Sequence, residues 1–295
     1  MNIIMTGHKG LIGSFLQERL EREGHKIVLG IDKVEDREVG ILDYLDLEDE
    51  KVDMLIHCAA LCKINKIVDN PKIGFGNVDD INTVMEFCRK NKIKKVVYFS
   101  SSRVLSRERN AYTAGKSYGE EMCKAYRDCY GIEYIIIRPS TVYGPVEDRT
   151  NRLMNIFINN ALDNKDLIIF GDPKTKTLDF TYVEDTVEGF VNIVNCDQLI
   201  GGTVNLGSGF EISIKSIAET INSIAGNSAE KIKYTVTRPG DVMRLYADAS
   251  FLKSVTGWSP EISLMDGLVK TVEWFKSRPE GGSALLSQEE DINWV

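Results

Sequence analysis

The sequence predicts an α/β protein, a doubly wound parallel sheet with a smaller C-terminal lobe. Three observations carry that prediction. Short apolar runs alternate with amphipathic stretches up to about residue 145, which is the rhythm of βαβ units. The runs are apolar throughout, as in strands buried on both faces. A glycine-rich turn joins the first run to the first amphipathic stretch.

Residues 2–6 read as the first strand and 10–23 as the first helix. Strands follow at 26–31 and 52–57. Over 77–91, Val78, Ile81, Val84, Met85 and Cys88 recur at helical spacing. Residues 95–100 form a strand, 112–130 a helix, and 133–138 a strand centred on Ile135, Ile136 and Ile137. Beyond Pro145 the rhythm weakens. Helices are expected at 151–163, 183–194, 213–225 (capped by Ser213) and 264–275, with strands at 167–170, 203–206 and 232–236. Pro279-Glu280-Gly281-Gly282 ends the last helix and leaves a tail expected to be mobile or loosely docked. The expected division is a sheet domain at 1–145 and a lobe mainly at 146–295, with the chain weaving between them.

Composition narrows the function classes. The chain of 295 residues is 43% hydrophobic and carries a net charge of −8, which argues against nucleic acid as a partner. A phosphorylated small molecule stays possible, because one loop can bind phosphate through backbone N–H groups. The first residues lack the pattern of a signal peptide, and no apolar run approaches a membrane span, so a cytoplasmic protein with reduced cysteines is expected. Cys58 and Cys62 lack the further ligands of a metal site, so no metal is expected. With only His8, His25 and His57, histidine-based catalysis is not expected.

Gly7, Gly10 and Gly13 lie directly after the first strand and open the first helix. Gly7 suits a tight turn, Gly10 a close approach to a pyrophosphate, and Gly13 close packing of helix on strand. This is the Rossmann-type dinucleotide loop, with Gly7, Lys9, Gly10, Leu11 and Ile12 bordering the cofactor. Asp32 stands nineteen positions after Gly13, at the end of the second strand. A carboxylate there bonds the adenosine ribose and repels a 2′-phosphate, which favours NAD over NADP.

Tyr112 and Lys116 are spaced i and i+4, on one helical face. A free tyrosine, with a pKa of about 10, is a weak base at neutral pH, and a fixed positive charge beside it favours the phenolate. Ser100, Ser101 and Ser102 follow Phe99 at a strand's C-terminal end, where ligands bind in open α/β sheets.

With these features the chain resembles the extended short-chain dehydrogenase/reductase family, in its nucleotide-sugar epimerase and dehydratase branch. The resemblance rests on Thr6–Gly13, Asp32, His57–Ala60, Asn77, Phe99–Ser102, Tyr112 with Lys116, Arg138–Pro145, Asp179–Asp185 and Arg238–Asp241. It implies that Asp43 touches adenine, and that Ala59, Ala60, Asn77, Ser100 and Pro139 border the cofactor. Tyr112 would be the general base, Lys116 would hold the nicotinamide ribose and tune Tyr112, and Thr141 and Arg238 would contact the nucleotide sugar. The catalytic serine is Ser102 counted from the strand and Ser101 counted back from Val104. Departures are visible. Leu178 replaces the usual arginine before the Asp-Phe pair, and Thr141 an asparagine. Ser102 and Tyr112 lie only ten positions apart, which implies a more open substrate mouth. The acid and base of sugar 4,6-dehydratases are missing after Ser101, as is the glutamate of the decarboxylases.

The resemblance therefore implies first a nucleotide-sugar 4-epimerase working through a 4-keto sugar. The alternatives are a dehydratase or dehydrogenase/reductase on a similar substrate, and a non-catalytic NAD-binding regulator. It also implies a homodimer built on a four-helix bundle of helices 77–91 and 112–130, in which Met85, Cys88, Met122 and Cys129 would be surplus to the protomer's own core.

Overall fold

The computed structural model describes residues 1–33, 38–45, 47, 51–146 and 152–278. The order of elements is β1 (Asn2–Thr6), α1 (Leu11–Arg22), β2 (Lys26–Ile31), β3 (Met54–His57), α2 (Ile64–Asp69), α3 (Lys72–Lys90), β4 (Lys95–Phe99), α4 (Ala111–Tyr130), β5 (Glu133–Pro139), β6 (Thr141–Tyr143), α5 (Leu153–Leu162), β7 (Leu167–Phe170), β8 (Thr177–Tyr182), α6 (Val183–Val194), β9 (Gly202–Leu206), β10 (Glu211–Ser213), α7 (Ile214–Ala225), β11 (Ile232–Thr235), α8 (Ser250–Thr256) and α9 (Leu264–Lys276). The expected start of a helix at 151 and the tail after Pro279 lie outside the described residues.

The main sheet runs in the order β2-β1-β3-β4-β5-β9, all parallel. Alternation along each strand sends side chains to opposite faces. Ile135 and Ile137 meet Leu16 of α1 and Phe190 of α6, whereas Ile136 faces Val84 and Met85 of α3 and Cys123 of α4. Both faces are thus covered, and the strands read as continuous apolar runs for that reason. The second lobe packs α5, α7 and α9 on two small sheets, β10-β8-β6 and β11-β7. Phe157, Ile158, Phe180, Ile217, Ile221 and Leu268 lie in its core. The chain returns to the main sheet through α6, β9 and α8, whose Val204, Leu252 and Trp258 share the first core.

Several elements differ from expectation. α3 begins at Lys72 and not at 77, because Gly74 and Gly76 mask the helical signal of its first turns. A Cβ at Gly74 would stand 3.1 Å from Ile67 Cγ2, a tight contact. α2, α8 and the short strands β6, β8 and β10 were not foreseen. Met85 and Cys88 are fully buried in the protomer's own core, and Met122 packs against it. They are therefore not surplus residues awaiting a partner. Cys129 is exposed.

Candidate active site

The turn after β1 is built as a cradle. Gly7 has φ +73°, its N–H donates to the Ile31 carbonyl at 2.7 Å, and a Cβ would stand 2.6 Å from the Ala59 nitrogen. A Cβ on Gly13 would stand 2.0 Å from the Gly7 oxygen. At Gly10 the only close neighbour of a Cβ is that same oxygen at 3.3 Å, so the position otherwise opens into free space. Asp32 closes the rim, accepting the Lys9 N–H at 3.0 Å. Thr6 Oγ1 accepts the Ala59 N–H at 3.3 Å and lies 2.7 Å from His57 Nδ1.

The cradle opens into a cavity of about 410 Å³ between the lobes. Of the residues expected at the site, Asp43 and Asn77 do not line it, and all the others do. Asp43 lies in a 3₁₀ turn, where Thr83 donates to it at 3.4 Å; Val39 of the same turn and Asp80 of α3 line the cavity instead. Asn77 has another task. Its amide accepts the Leu61 N–H at 2.7 Å and donates to the Leu61 carbonyl at 3.1 Å, which braces the wall formed by Ala59 and Ala60. Burial lifts the Asp80 carboxyl to about 6, while Lys33 draws it back.

A capping box starts α4. Asn110 Oδ1 accepts the Thr113 N–H at 3.0 Å, and Thr113 Oγ1 accepts the Asn110 N–H at 3.1 Å. This fixes Tyr112 in the first turn, buried against the cavity. Ser101, which lines the same cavity, draws the phenol's pKa down. The Ser102 hydroxyl is buried with no partner among the described residues. Both serines line the cavity with Tyr112, and Ser101 accepts the Arg103 N–H at 3.2 Å. Ser100 also lines the cavity, but its hydroxyl donates to Glu120 at 2.5 Å, and Glu120 is in turn gripped by Arg138.

Burial pushes the Tyr112 phenol well up, and Cys62 adds to the shift, while Arg103, the Ser101 hydrogen bond and Arg152 pull it down. Lys116 also lines the cavity. Its ammonium donates to the Phe99 carbonyl at 2.6 Å and lies 5.0 Å from the centre of the Tyr98 ring. Arg103 and Arg152 are among the positive charges that act on Tyr112.

The far side of the cavity is basic. Lys176 Nζ lies 2.5 Å from Asp241 Oδ2, and Arg238 meets the same oxygen at 3.1 Å while stacking 4.2 Å from the centre of the Phe170 ring. Arg103 joins this group, with Asp241 as its strongest attraction and Arg238 as a repulsion. Sequence reasoning missed Arg103, Arg152 and Lys176. One signal was available: in extended backbone, Lys176 shares a face with Leu178, so a cation stands beside the position of the lost arginine. Two carboxylates of the 179–185 motif brace the backbone. Asp179 accepts from Ser208, Gly209 and Ala247, and Asp185 from the backbone of Glu261 and Ile262.

A parallel sheet with a glycine cradle, a rim carboxylate, and a serine–tyrosine pair within reach defines a dinucleotide-dependent enzyme. The chain belongs to the NAD dependent epimerase/dehydratase family, whose model matches residues 3–207, and its cofactor is NAD. It is similar to a Methanocaldococcus jannaschii protein provisionally named a UDP-glucose 4-epimerase, at 32% identity over 93% of this chain and 98% of the relative. It is also similar to a UDP-glucuronate 4-epimerase of Thermodesulfobacterium geofontis, at 29% identity over 94% and 97%. Among solved structures, the UDP-N-acetylglucosamine 4-epimerase of Methanobrevibacter ruminantium superposes with a TM-score of 0.81 at 26% identity, covering 94% of this chain and 98% of that one. Other relatives bear decarboxylase or dehydratase names.

Proposed function

We propose that the protein is a nucleotide-sugar epimerase acting at C4. One observation carries the reading: Tyr112, Ser101 and Ser102 line one cavity with the dinucleotide cradle and the basic residues Lys176 and Arg238. The 4-epimerase names among the relatives agree with it. So does the lack of a carboxylate at Ser102 and Arg103, where the dehydratases and decarboxylases carry theirs.

The Gly7–Gly13 backbone would hold the pyrophosphate, Asp32 the adenosine ribose, and Lys116 and Pro139 the nicotinamide end. Bound NAD supplies a reversible hydride acceptor. The chain's own residues handle protons and position. Ser101 orients the C4 hydroxyl, Tyr112 removes its proton, and Arg103 and Arg152 favour the resulting phenolate. After the 4-keto sugar turns over, Tyr112 returns the proton. Lys176, Arg238 and Thr141 would hold the nucleotide diphosphate while the sugar reorients.

Two further statements belong to the proposal. A homodimer through α3 and α4 is supported by Phe75, Tyr118 and Tyr130, which those helices leave exposed. Residence in the cytoplasm is supported by the six cysteines, all free. The test is NMR of a panel of UDP and dTDP sugars incubated with enzyme and NAD. Interconversion of C4 epimers without accumulation of NADH is expected; net NADH, a deoxy-keto sugar or a pentose product would overturn the assignment.

A further inference from the structure

We propose that Arg103 binds a carboxylate on the sugar, so that the substrate is a nucleotide-linked uronic or other acidic sugar rather than a neutral hexose. This deepens the epimerase reading and rests on it.

Arg103 lies in the 3₁₀ turn Ser102–Leu105 that follows β4. Its backbone N–H donates to Ser101 Oγ at 3.2 Å, and Ser101 lines the cavity with Tyr112. The position of Arg103 is therefore tied to the serine end of the site. Its side chain lines the cavity. The guanidinium Nη1 is buried with no hydrogen-bond partner among the described residues. A buried donor left unpaired is costly, and a guanidinium fork matches the two oxygens of a carboxylate or phosphate. An oxyanion in the cavity would complete the site.

Two oxyanions can reach a sugar bound here, its own carboxylate and the diphosphate at C1. Placement separates them. Lys176 and Arg238 are both bonded to Asp241. Arg103 instead follows the serines at the end of β4, with its backbone bonded to Ser101. It therefore stands on the serine side of the cavity, and its charge acts on Tyr112. Around a pyranose ring, the C1 diphosphate lies across from C4, whereas the C6 carboxylate hangs from C5, the next carbon. A cation that acts directly on the C4 base is thus placed for the C6 group. Lys176 and Arg238 remain for the diphosphate.

The experiment is calorimetric titration of the NAD-loaded protein with UDP, UDP-glucose and UDP-glucuronic acid, repeated with the dTDP forms. Wild type, Arg103→Met and Arg103→Lys are compared, with NAD affinity and melting temperature confirming that each variant folds. The wild type should bind the glucuronic acid form about tenfold or more tighter than the glucose form, the scale of a charge-assisted hydrogen bond. Arg103→Met should abolish that preference by weakening UDP-glucuronic acid far more than UDP or UDP-glucose, while Arg103→Lys should keep part of it. Equal weakening of UDP and UDP-glucuronic acid by Arg103→Met would assign the guanidinium to the diphosphate and overturn the proposal. So would a wild type without preference, or one that binds none of these compounds. An acid preference in a protein that converts no C4 epimer would instead sink the epimerase reading, which keeps the two failures distinct.

Discussion

His57 offers a quantitative test of how dry the sheet's centre is. It ends β3, lies 5.8 Å from the Tyr98 ring in a stacked arrangement, and keeps its Nδ1 2.7 Å from Thr6 Oγ1. Burial, helped by the positive charge of Lys116, lowers its pKa from 6.5 to about 3. The unfolded chain takes up a proton below pH 6.5 that the folded protein refuses until about pH 3. The contribution is therefore complete above pH 6.5 and falls with acidification by about 1.4 kcal/mol per pH unit across that window. At pH 5 the loss amounts to about 2 kcal/mol relative to pH 8, a large share of a typical stability. The perturbation is His57→Gln, which removes the titrating ring, and the assay is urea unfolding of wild type and variant at pH 8 and pH 5. The substitution lowers stability at both pH values, so only the difference between them is read. The variant should lose about 2 kcal/mol less than wild type on acidification. If both lose the same amount, the ring is hydrated in the folded state and the argument from burial is wrong.

Other perturbations address the site. Tyr112→Phe should retain NAD binding and cut epimerisation by about 100- to 10,000-fold, and wild-type turnover would remove Tyr112 from the mechanism. Ser101→Ala should harm turnover more than Ser102→Ala, because Ser101 is the serine that lowers the Tyr112 pKa; steady-state kinetics in the reverse order would shift the catalytic serine back to Ser102. Arg103→Met removes a charge that favours the Tyr112 phenolate, so the pH–rate profile should move toward alkaline pH, and an unmoved profile would show that the two groups do not communicate. Gly13→Ala should lose NAD affinity in a fluorescence titration, since its Cβ would stand 2.0 Å from the Gly7 oxygen. Light scattering of the NAD-bound protein should give a dimer mass, and a monomer at micromolar concentration would end the four-helix-bundle proposal.

The cradle was legible because each of its parts obeys a local rule. Gly7 must take positive φ, Gly13 must admit a neighbouring carbonyl, and Asp32 must end a strand, so spacing alone located them. Tyr112 was found because its i, i+4 lysine follows a serine run at the end of a strand in a Rossmann pattern. Less local features escaped. The Asn77 amide reaches a loop sixteen residues earlier in the chain, and no spacing in the sequence announces that it grips Leu61 rather than a ligand. Asp43 was expected at the adenine only through the resemblance, and of its turn it is Val39 that lines the cavity. That the Phe99 carbonyl anchors the Lys116 ammonium was equally invisible in the spacing. Arg103 and Lys176 reach one cavity from β4 and β8, a convergence that depends on how the lobes pack. The strands β6 and β10 span only three residues each, too short for an alternating pattern to rise above chance.

The return of the chain from the second lobe to β9 bears on how this protein can be cut and made. β5 pairs with β9 along Ile135 to Pro139, so a fragment ending near residue 145 would present β5 as a bare edge, apolar on both sides and ready to template other chains. During synthesis the ribosome releases β5 well before β9, and the unfinished sheet must be shielded until the second lobe has been threaded through. Transplanting the cofactor half into a chimaera would therefore require carrying α6 and β9 along, whatever lies between them.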